Sequence, residues 1–294
     1  MQVTSYAAAR AALANPGLTV PPAQPATTGM AWLRATVARF SDGPPHTRRR
    51  AIAVAQLSTI DTQALRDAAR DRTTTLLAPH ANTAVDLMRT IARTLPAELL
   101  ATAIGLPAAT PTAVAAIAGA YPTGEPDPAA DAAVDELTHG STDESIAARI
   151  GLLAQAFGAT AGLIGNAAYI MLRENLHAPA EAIIAETLRH TPPVRATTRV
   201  DRTGDPVVID LAAANRDPAV FPSPAEFDPA RTNSGAHLDF GFGPHHCPGR
   251  DVATAIAAGV LDAVRGHRLL TGTLTYDPPA NLRVPARLEI FVGG

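Results

Sequence analysis

The sequence predicts a mainly α-helical protein with a small β component. Two observations carry this prediction: apolar residues recur at helical spacing as far as His190, and segments with strand character are confined to the C-terminal third. Hydrophobic residues make up 47% of the 294 positions, which is ample for a packed core. The length alone allows one large domain or two ordinary ones.

Helical periodicity gives the order of elements in the N-terminal two thirds. Residues 105–145 are broken by several prolines, so they can hold only short helices. Residues 146–172 are apolar with few charges and are predicted to be a buried central helix. The other predicted helices are 4–14, 31–40, one that starts at Pro44–Pro45, 61–71, 81–95, 96–104 and 179–190.

The C-terminal third mixes strands, loops and one helix. Residues 206–211 have strand character, and a glycine-rich loop at 240–249 leads into a helix at 250–265. Two further strand candidates, 271–276 and 286–292, follow that helix. The whole pattern is that of a helical protein with a little sheet near its C-terminal end.

Composition excludes several classes of function. The net charge is −3 and all 24 basic residues are arginine, so there is no electrostatic case for nucleic acid. No apolar run reaches the roughly 18 residues of a membrane span, and the N-terminus lacks the pattern of a secretory signal. A single cysteine excludes an internal disulfide and favours the cytoplasm.

The loop that contains Cys247 is the most informative segment. Two glycines before the cysteine let the backbone turn its N–H groups toward the sulfur, and the following helix directs its positive end there. Both effects favour the thiolate, the form that binds metals. The alternative is a small buried hydrophobic residue, the usual fate of a lone cysteine. Zinc is disfavoured because His245 and His246 offer no second ligand pair at metal spacing.

This loop resembles the haem-binding signature of the cytochrome P450 family at each fixed position, namely Phe240, Gly241, Gly243, His245, Cys247 and Gly249. The resemblance implies that Cys247 is the axial ligand of the iron of haem b and that His245 lies near a haem propionate. Phe240, Gly241 and Gly249 would complete the cofactor loop. It further implies one P450-like haem domain, 1–294, truncated at the N-terminus and in the region that roofs the substrate pocket.

Three more residues match a supporting motif of that family. Glu186 and Arg189 are three apart on one helical face and can pair, although such pairs are usually surface decoration. The resemblance implies that both join Arg231 in a structural network that holds the cysteine loop.

Basic residues elsewhere resemble the family's propionate clamp. His46 and Arg50 are four apart and can face one anionic group, whereas a solvated basic run is the alternative. The resemblance implies that they hold a propionate together with Arg199. Arg48 and Arg49 would then face outward toward an acidic electron donor.

The central helix departs from the family pattern. The family carries an acid followed by a threonine there, whereas one alignment places Gly158 and Ala159 at these positions and the other places Ala159 and Thr160. Neither alignment supplies a carboxylate. Thr160 is therefore the one catalytic candidate in this helix.

The leading hypothesis is a monooxygenase-like haem-thiolate oxidoreductase. It would act on a small hydrophobic metabolite, in bacterial secondary metabolism, with electrons from a ferredoxin-type donor. The missing carboxylate keeps an alternative open, in which the haem-thiolate uses peroxide or catalyses a cyclisation, dehydration or isomerisation. A third possibility is a haem-binding relative without catalysis.

Overall fold

The computed structural model describes residues 1–278 and 281–293. The helices are α1 Tyr6–Ala14, α2 Gly29–Thr36, α3 Gly43–Leu57, α4 Thr62–Leu77, α5 Leu95–Ala103, α6 Pro111–Ala120, α7 Pro128–Thr138, α8 Glu144–Arg173, α9 Ala180–His190, α10 Leu211–Ala214 and α11 Arg250–Val264. The strands are β1 Gln2–Val3, β2 Ala84–Asp86, β3 Ala196–Val200, β4 Pro206–Asp210, β5 Arg268–Leu269 and β6 Glu289–Phe291. The predicted fold class, mainly α-helical with a small β component, is confirmed.

Short polar caps begin several of these helices. Asp61 accepts hydrogen bonds from the backbone N–H groups of Gln63 and Ala64 at the start of α4, at 2.9 and 3.0 Å. Asp143 accepts from Ser145 at 2.8 Å at the start of α8. A proline in the first turn starts α3, where its missing N–H costs nothing.

Two small sheets flank the helices. In the first, β4 lies between β1, which runs parallel to it, and β3, which runs antiparallel. In the second, β6 lies between β2 and β5, and both pairings are antiparallel.

The second sheet corrects two predictions. The predicted helix over 81–95 is wrong. Val85 lies in β2 and pairs with Ile290 of β6, and a π-helical turn, Met88–Ala92, follows before α5. A strand over 271–276 is also wrong, because Tyr276 forms only an isolated bridge with Pro285. The first error arises because residues 84–86 pair with a strand near the chain's C-terminal end, which local periodicity cannot register.

The central helix α8 is the core of the fold, as predicted. It contributes Gly162 and Gly165, where a Cβ would lie 2.8 Å from the Arg283 carbonyl oxygen and 2.6 Å from the Met88 sulfur. The Asn166 side chain donates a hydrogen bond to the same Arg283 carbonyl, at 2.9 Å. By length and composition α8 could cross a membrane, but 61% of its most apolar window is buried inside the fold. The feature is therefore weak evidence for a span.

Glycine also permits the close packing of α4 against α11. A Cβ at Gly259 would lie 2.2 Å from the backbone oxygen of Arg66 and 2.8 Å from the Ala69 side chain. The backbones of the two helices therefore approach each other closely at Gly259. This packing holds α11 in place at the end of the loop that carries Cys247.

Candidate functional site

The cysteine loop is folded by two glycines with left-handed backbone angles. Gly241 and Gly243 have φ angles of +73° and +72°, which residues with a Cβ rarely adopt. A Cβ at Gly243 would also lie 3.0 Å from the backbone oxygen of Leu13. The turn they make lets the Cys247 N–H donate to the Phe240 carbonyl at 2.7 Å.

The Cys247 thiol is more protonated than the sequence predicts. Burial raises the pKa of the thiol and Asp239 adds a further upward contribution, and together they outweigh the Gly249 N–H and the Arg50 charge, which both lower it. The prediction that the loop favours the thiolate counted the N–H groups and omitted desolvation. A metal ion would reverse this balance, because a coordinating thiol is deprotonated.

Helix α3 brings His46 and Arg50 against this loop. The His46 ring lies 4.0 Å from the His245 ring, and His245 Nε2 lies 3.1 Å from an Asp42 carboxylate oxygen. Arg50 donates to the His246 carbonyl at 2.8 Å and lies beside the His246 ring. Burial lowers the pKa of His46, and burial together with the His46 charge lowers that of His245 to about 4. Both rings are therefore neutral near pH 7.

Arg199 on β3 is buried, and no carboxylate within residues 1–278 and 281–293 forms a hydrogen bond or ion pair with it. Its side chain is 4% exposed, and its hydrogen bonds go to the Thr197 hydroxyl at 3.2 Å and the Thr198 carbonyl at 3.1 Å. Burial and the nearby charge of Arg39 lower its pKa to about 10, opposed by Asp42. Sequence reasoning missed Arg39, because nothing in its local pattern distinguishes it from a surface arginine.

Arg48 faces outward as predicted, with 58% of its side chain exposed, whereas Arg49 does not, with 18% exposed. Both pair with Glu144 at the start of α8, at 2.7 and 2.9 Å. Their hydrogen bonds, that of Arg48 first, lower the pKa of Glu144 to about 2. These two arginines therefore tie α3 to the central helix.

The Glu186 network joins α9 to the segment that contains Arg231. Arg189 donates to both carboxylate oxygens of Glu186, at 2.8 and 2.5 Å, and Arg231 donates at 3.2 Å. Glu186 and Arg189 are both fully buried. Arg189 also donates to the carbonyls of Pro224 and Glu226, so its guanidinium is well satisfied. The three residues meet where the sequence predicts.

The middle of α8 differs from its two ends. Gln155 is exposed and residues 156–159 are partly exposed, whereas the helix is otherwise mostly buried. Gly158 and Ala159, which one of the two alignments gives to the acid and the threonine, belong to this open stretch. Thr160 is 3% exposed and starts the buried C-terminal half.

These residues fit a haem. Its two propionates would supply the carboxylates that the buried Arg199 lacks, beside neutral His46 and His245 that can each donate an N–H. Within residues 1–278 and 281–293, no group of three or more His, Cys, Asp or Glu side chains is placed to hold a metal ion. A metal at Cys247 would therefore take its other ligands from outside the chain, as a porphyrin provides.

Fold and site together define a mainly helical protein with a glycine-rich loop around one cysteine, and comparison with known proteins shows what it is similar to. The family model described as cytochrome P450 matches residues 179–261. The structure superposes on that of P450BioI in complex with hexadec-9Z-enoic acid ligated acyl carrier protein, with a TM-score of 0.84, 22% identity, and coverage of 99% of this chain and 92% of that one.

Curated relatives agree over a shorter region. Cytochrome P450 144 of Mycobacterium tuberculosis is 38% identical over 121 residues, which is 35% of this chain and 28% of the relative. The 6-deoxyerythronolide B hydroxylase of Saccharopolyspora erythraea is 35% identical over 147 residues, 43% of this chain and 36% of the relative. The matches thus span about a third of these relatives. Residues 179–261 match the cytochrome P450 family, and the chain as a whole has the fold of solved cytochrome P450 structures.

Proposed function

We propose that this protein is a haem-thiolate monooxygenase that oxidises a small hydrophobic metabolite in bacterial secondary metabolism. The observation that carries the proposal is the cluster of His46, His245 and Arg199 beside the loop that contains Cys247. The hydroxylase of Saccharopolyspora erythraea and a 23-monooxygenase of Streptomyces fradiae among the relatives support the reaction class. A cytoplasmic location accords with the lone cysteine.

Each residue has a defined task in this proposal. Haem b ligated by a thiolate supplies the chemistry that cleaves the O–O bond. Cys247 binds the iron, and Phe240, Gly241 and Gly249 shape the loop around its sulfur.

Other side chains hold the cofactor and deliver protons. Arg199, His46, His245 and Arg50 bind the propionates. Thr160, the only hydroxyl-bearing residue among positions 155–166, passes protons inward together with water.

The absorption spectrum of the reduced protein with carbon monoxide tests the proposal. We expect the red-shifted Soret band of a thiolate-ligated haem in the natural protein and its loss in Cys247→Ser, which keeps the size of the side chain but lacks the thiolate. Haem bound without that band, or no haem at all, would contradict the assignment of Cys247.

Exposed basic groups beside the cysteine loop favour an acidic, ferredoxin-type electron donor. The guanidinium of Arg250 lies 5.8 Å from the Phe240 ring centre and that of Arg10 lies 4.2 Å from the Phe242 ring centre, and both residues are exposed. Arg250→Glu should slow the reduction of the protein by ferredoxin. Added salt should bring the reduction rates of the variant and the natural protein closer together. Arg72→Glu, a change at an exposed arginine on α4, is the control.

The open stretch of α8 favours a second candidate function. Gly158 and Ala159 are partly exposed and offer neither a carboxylate nor a hydroxyl, so oxygen activation has no acid there. A catalyst of this kind would use peroxide, or convert its substrate without external electrons. Oxidation of guaiacol by hydrogen peroxide, without reductant and faster than with free haem, would favour it over the monooxygenase.

A further inference from the structure

Gln155 is a polar side chain on the central helix to which the proposed function assigns no task. Within α8, all of which the structure describes, Gln155 and the terminal Arg173 are the only exposed residues. The carboxamide nitrogen of Gln155 donates one hydrogen bond, to the Gly151 carbonyl at 2.9 Å. A carboxamide has a second N–H and an oxygen with two lone pairs. Gln155 therefore keeps a donor and an acceptor for a ligand.

The face of α8 that carries Gln155 is covered by other segments on both sides of this residue. Gly151 and Gly158 lie one turn before and one turn after Gln155 on the same face. A Cβ at Gly151 would lie 2.8 Å from Val37 Cγ1, and a Cβ at Gly158 would lie 3.0 Å from Leu282 Cδ1. Gln155 is therefore exposed in a gap between two packed contacts.

The contact at Leu282 leads to the start of the cysteine loop. Leu282 forms an antiparallel bridge with Val194. The Val194 N–H donates to the buried side chain of Asp239, which directly precedes Phe240. The Phe240 carbonyl in turn accepts the Cys247 N–H at 2.7 Å. One side of the gap is thus connected to the segment that positions the sulfur.

The contact at Val37 leads to the other end of the same loop. The Ser41 hydroxyl donates to the Val37 carbonyl at 2.8 Å. Asp42 follows Ser41, and its carboxylate lies 3.1 Å from His245 Nε2. The second side of the gap is therefore connected to the residues that fit the propionates.

We propose that Gln155 donates a hydrogen bond to a small ligand on the haem iron, on the side opposite Cys247. Gln155 faces the space between α8 and the cysteine loop, because both sides of its gap lead to that loop. Gly158 and Ala159, one turn further along α8, carry no polar side-chain atom. The proposal rests on the haem-thiolate function proposed above and adds a residue to it. An amide does not ionise near neutral pH, so Gln155 orients the ligand, and protons still come through Thr160 and water.

Binding of cyanide and of carbon monoxide to the haem-loaded protein tests this. Cyanide binds as an anion and is stabilised by a hydrogen-bond donor more than neutral carbon monoxide is. Gln155→Met keeps an unbranched side chain of similar length and removes both polar atoms. We expect it to weaken cyanide about fivefold and to leave the affinity for carbon monoxide within about twofold. The infrared C–O stretching band should shift to higher wavenumber. Gln63→Met, at an exposed glutamine on α4, is the matched control and should change none of the three.

The outcomes distinguish a hydrogen bond from an effect of space or of folding. Equal weakening of both ligands would mean that the side chain only shapes the space, and would overturn the proposal. Three unchanged readouts in Gln155→Met would overturn it as well. The melting temperature should be the same in this variant as in the natural protein, because the side chain is exposed, and a large loss would assign it a structural role instead. Failure of the proposed function appears separately, as the absence of the red-shifted Soret band from the natural protein with carbon monoxide.

Discussion

Two groups of buried arginines in this molecule differ in where their negative charge comes from. Around Glu186 the chain supplies the carboxylate itself, and Arg189 and Arg231 are fully engaged. Around Arg199 and Arg39 the residues that the structure describes supply no hydrogen-bonded carboxylate, and Asp42 is the acid nearby. The difference teaches that the burial of an arginine does not by itself reveal its role. The arginines paired with Glu186 stabilise the fold, whereas those without a paired carboxylate are suited to bind an anionic ligand.

The largest change in the free energy of unfolding is expected at Glu186, where both buried arginines are paired with a carboxylate. Glu186→Gln removes the charge that compensates fully buried Arg189, and we expect it to lower the free energy of unfolding by about 3–5 kcal/mol. Denaturant titration measures this. Glu181→Gln on the same helix is the control, because Glu181 is 60% exposed and should lose about 1 kcal/mol or less. Equal losses at both positions would mean that burial does not govern the network.

Loss of the Arg199 charge should change the stability of the protein in opposite directions with and without haem. Arg199→Met removes a buried charge that lacks a carboxylate, so the haem-free protein should gain about 1–4 kcal/mol of stability, whereas haem affinity should fall. Melting temperatures of both forms, with Arg202→Met on the same hairpin as an exposed control, measure this. Destabilisation of both forms alike would refute a ligand-binding role for Arg199.

His237 is a third buried basic group, and it differs from the arginines because it is neutral in the folded protein. Burial, with Arg250 nearby, lowers the pKa of His237 to about 3, and its Nδ1 accepts the Asp239 N–H at 3.2 Å. The unfolded chain binds a proton near pH 6.5 and the folded chain does not, so stability is complete above pH 6.5 and falls as pH drops toward 3.

Between pH 7 and pH 5 this contribution amounts to about 2 kcal/mol. His237→Asn retains an acceptor for the Asp239 N–H and should lose that part of the pH dependence, measured by denaturant titration at both values. An unchanged pH profile would show that His237 is not the responsible group.

The smallest effect is expected at Glu144, which makes the same kind of pair near the surface. Glu144→Gln frees Arg48 and Arg49, one of them 58% exposed, and should cost no more than about 1 kcal/mol. A loss comparable to that of Glu186→Gln would remove the distinction between buried and exposed pairs.

The elements that the sequence alone predicts are those whose pattern lies within one continuous segment. The cysteine loop is encoded within ten residues, and Glu186 and Arg189 lie one helical turn apart, so both could be recognised without coordinates. The central helix was equally clear, because its apolar pattern is long.

What could not be predicted depends on contacts between distant segments. Val85 is in a strand because Ile290 lies beside it, and no local pattern at 81–95 records this. Phe40 and Tyr121 pack together only in the folded chain, and the raised pKa of Cys247 comes from burial by residues distant in sequence.

The buried guanidinium of Arg199 also has a consequence for the life of the chain in the cell. A newly synthesised molecule must fold around this charge before a counter-ion arrives, so its unfolded fraction, the form that proteases cut, is greatest until haem is bound. Haem supply would therefore set the abundance of this protein through its half-life, even where the rate of its synthesis is constant.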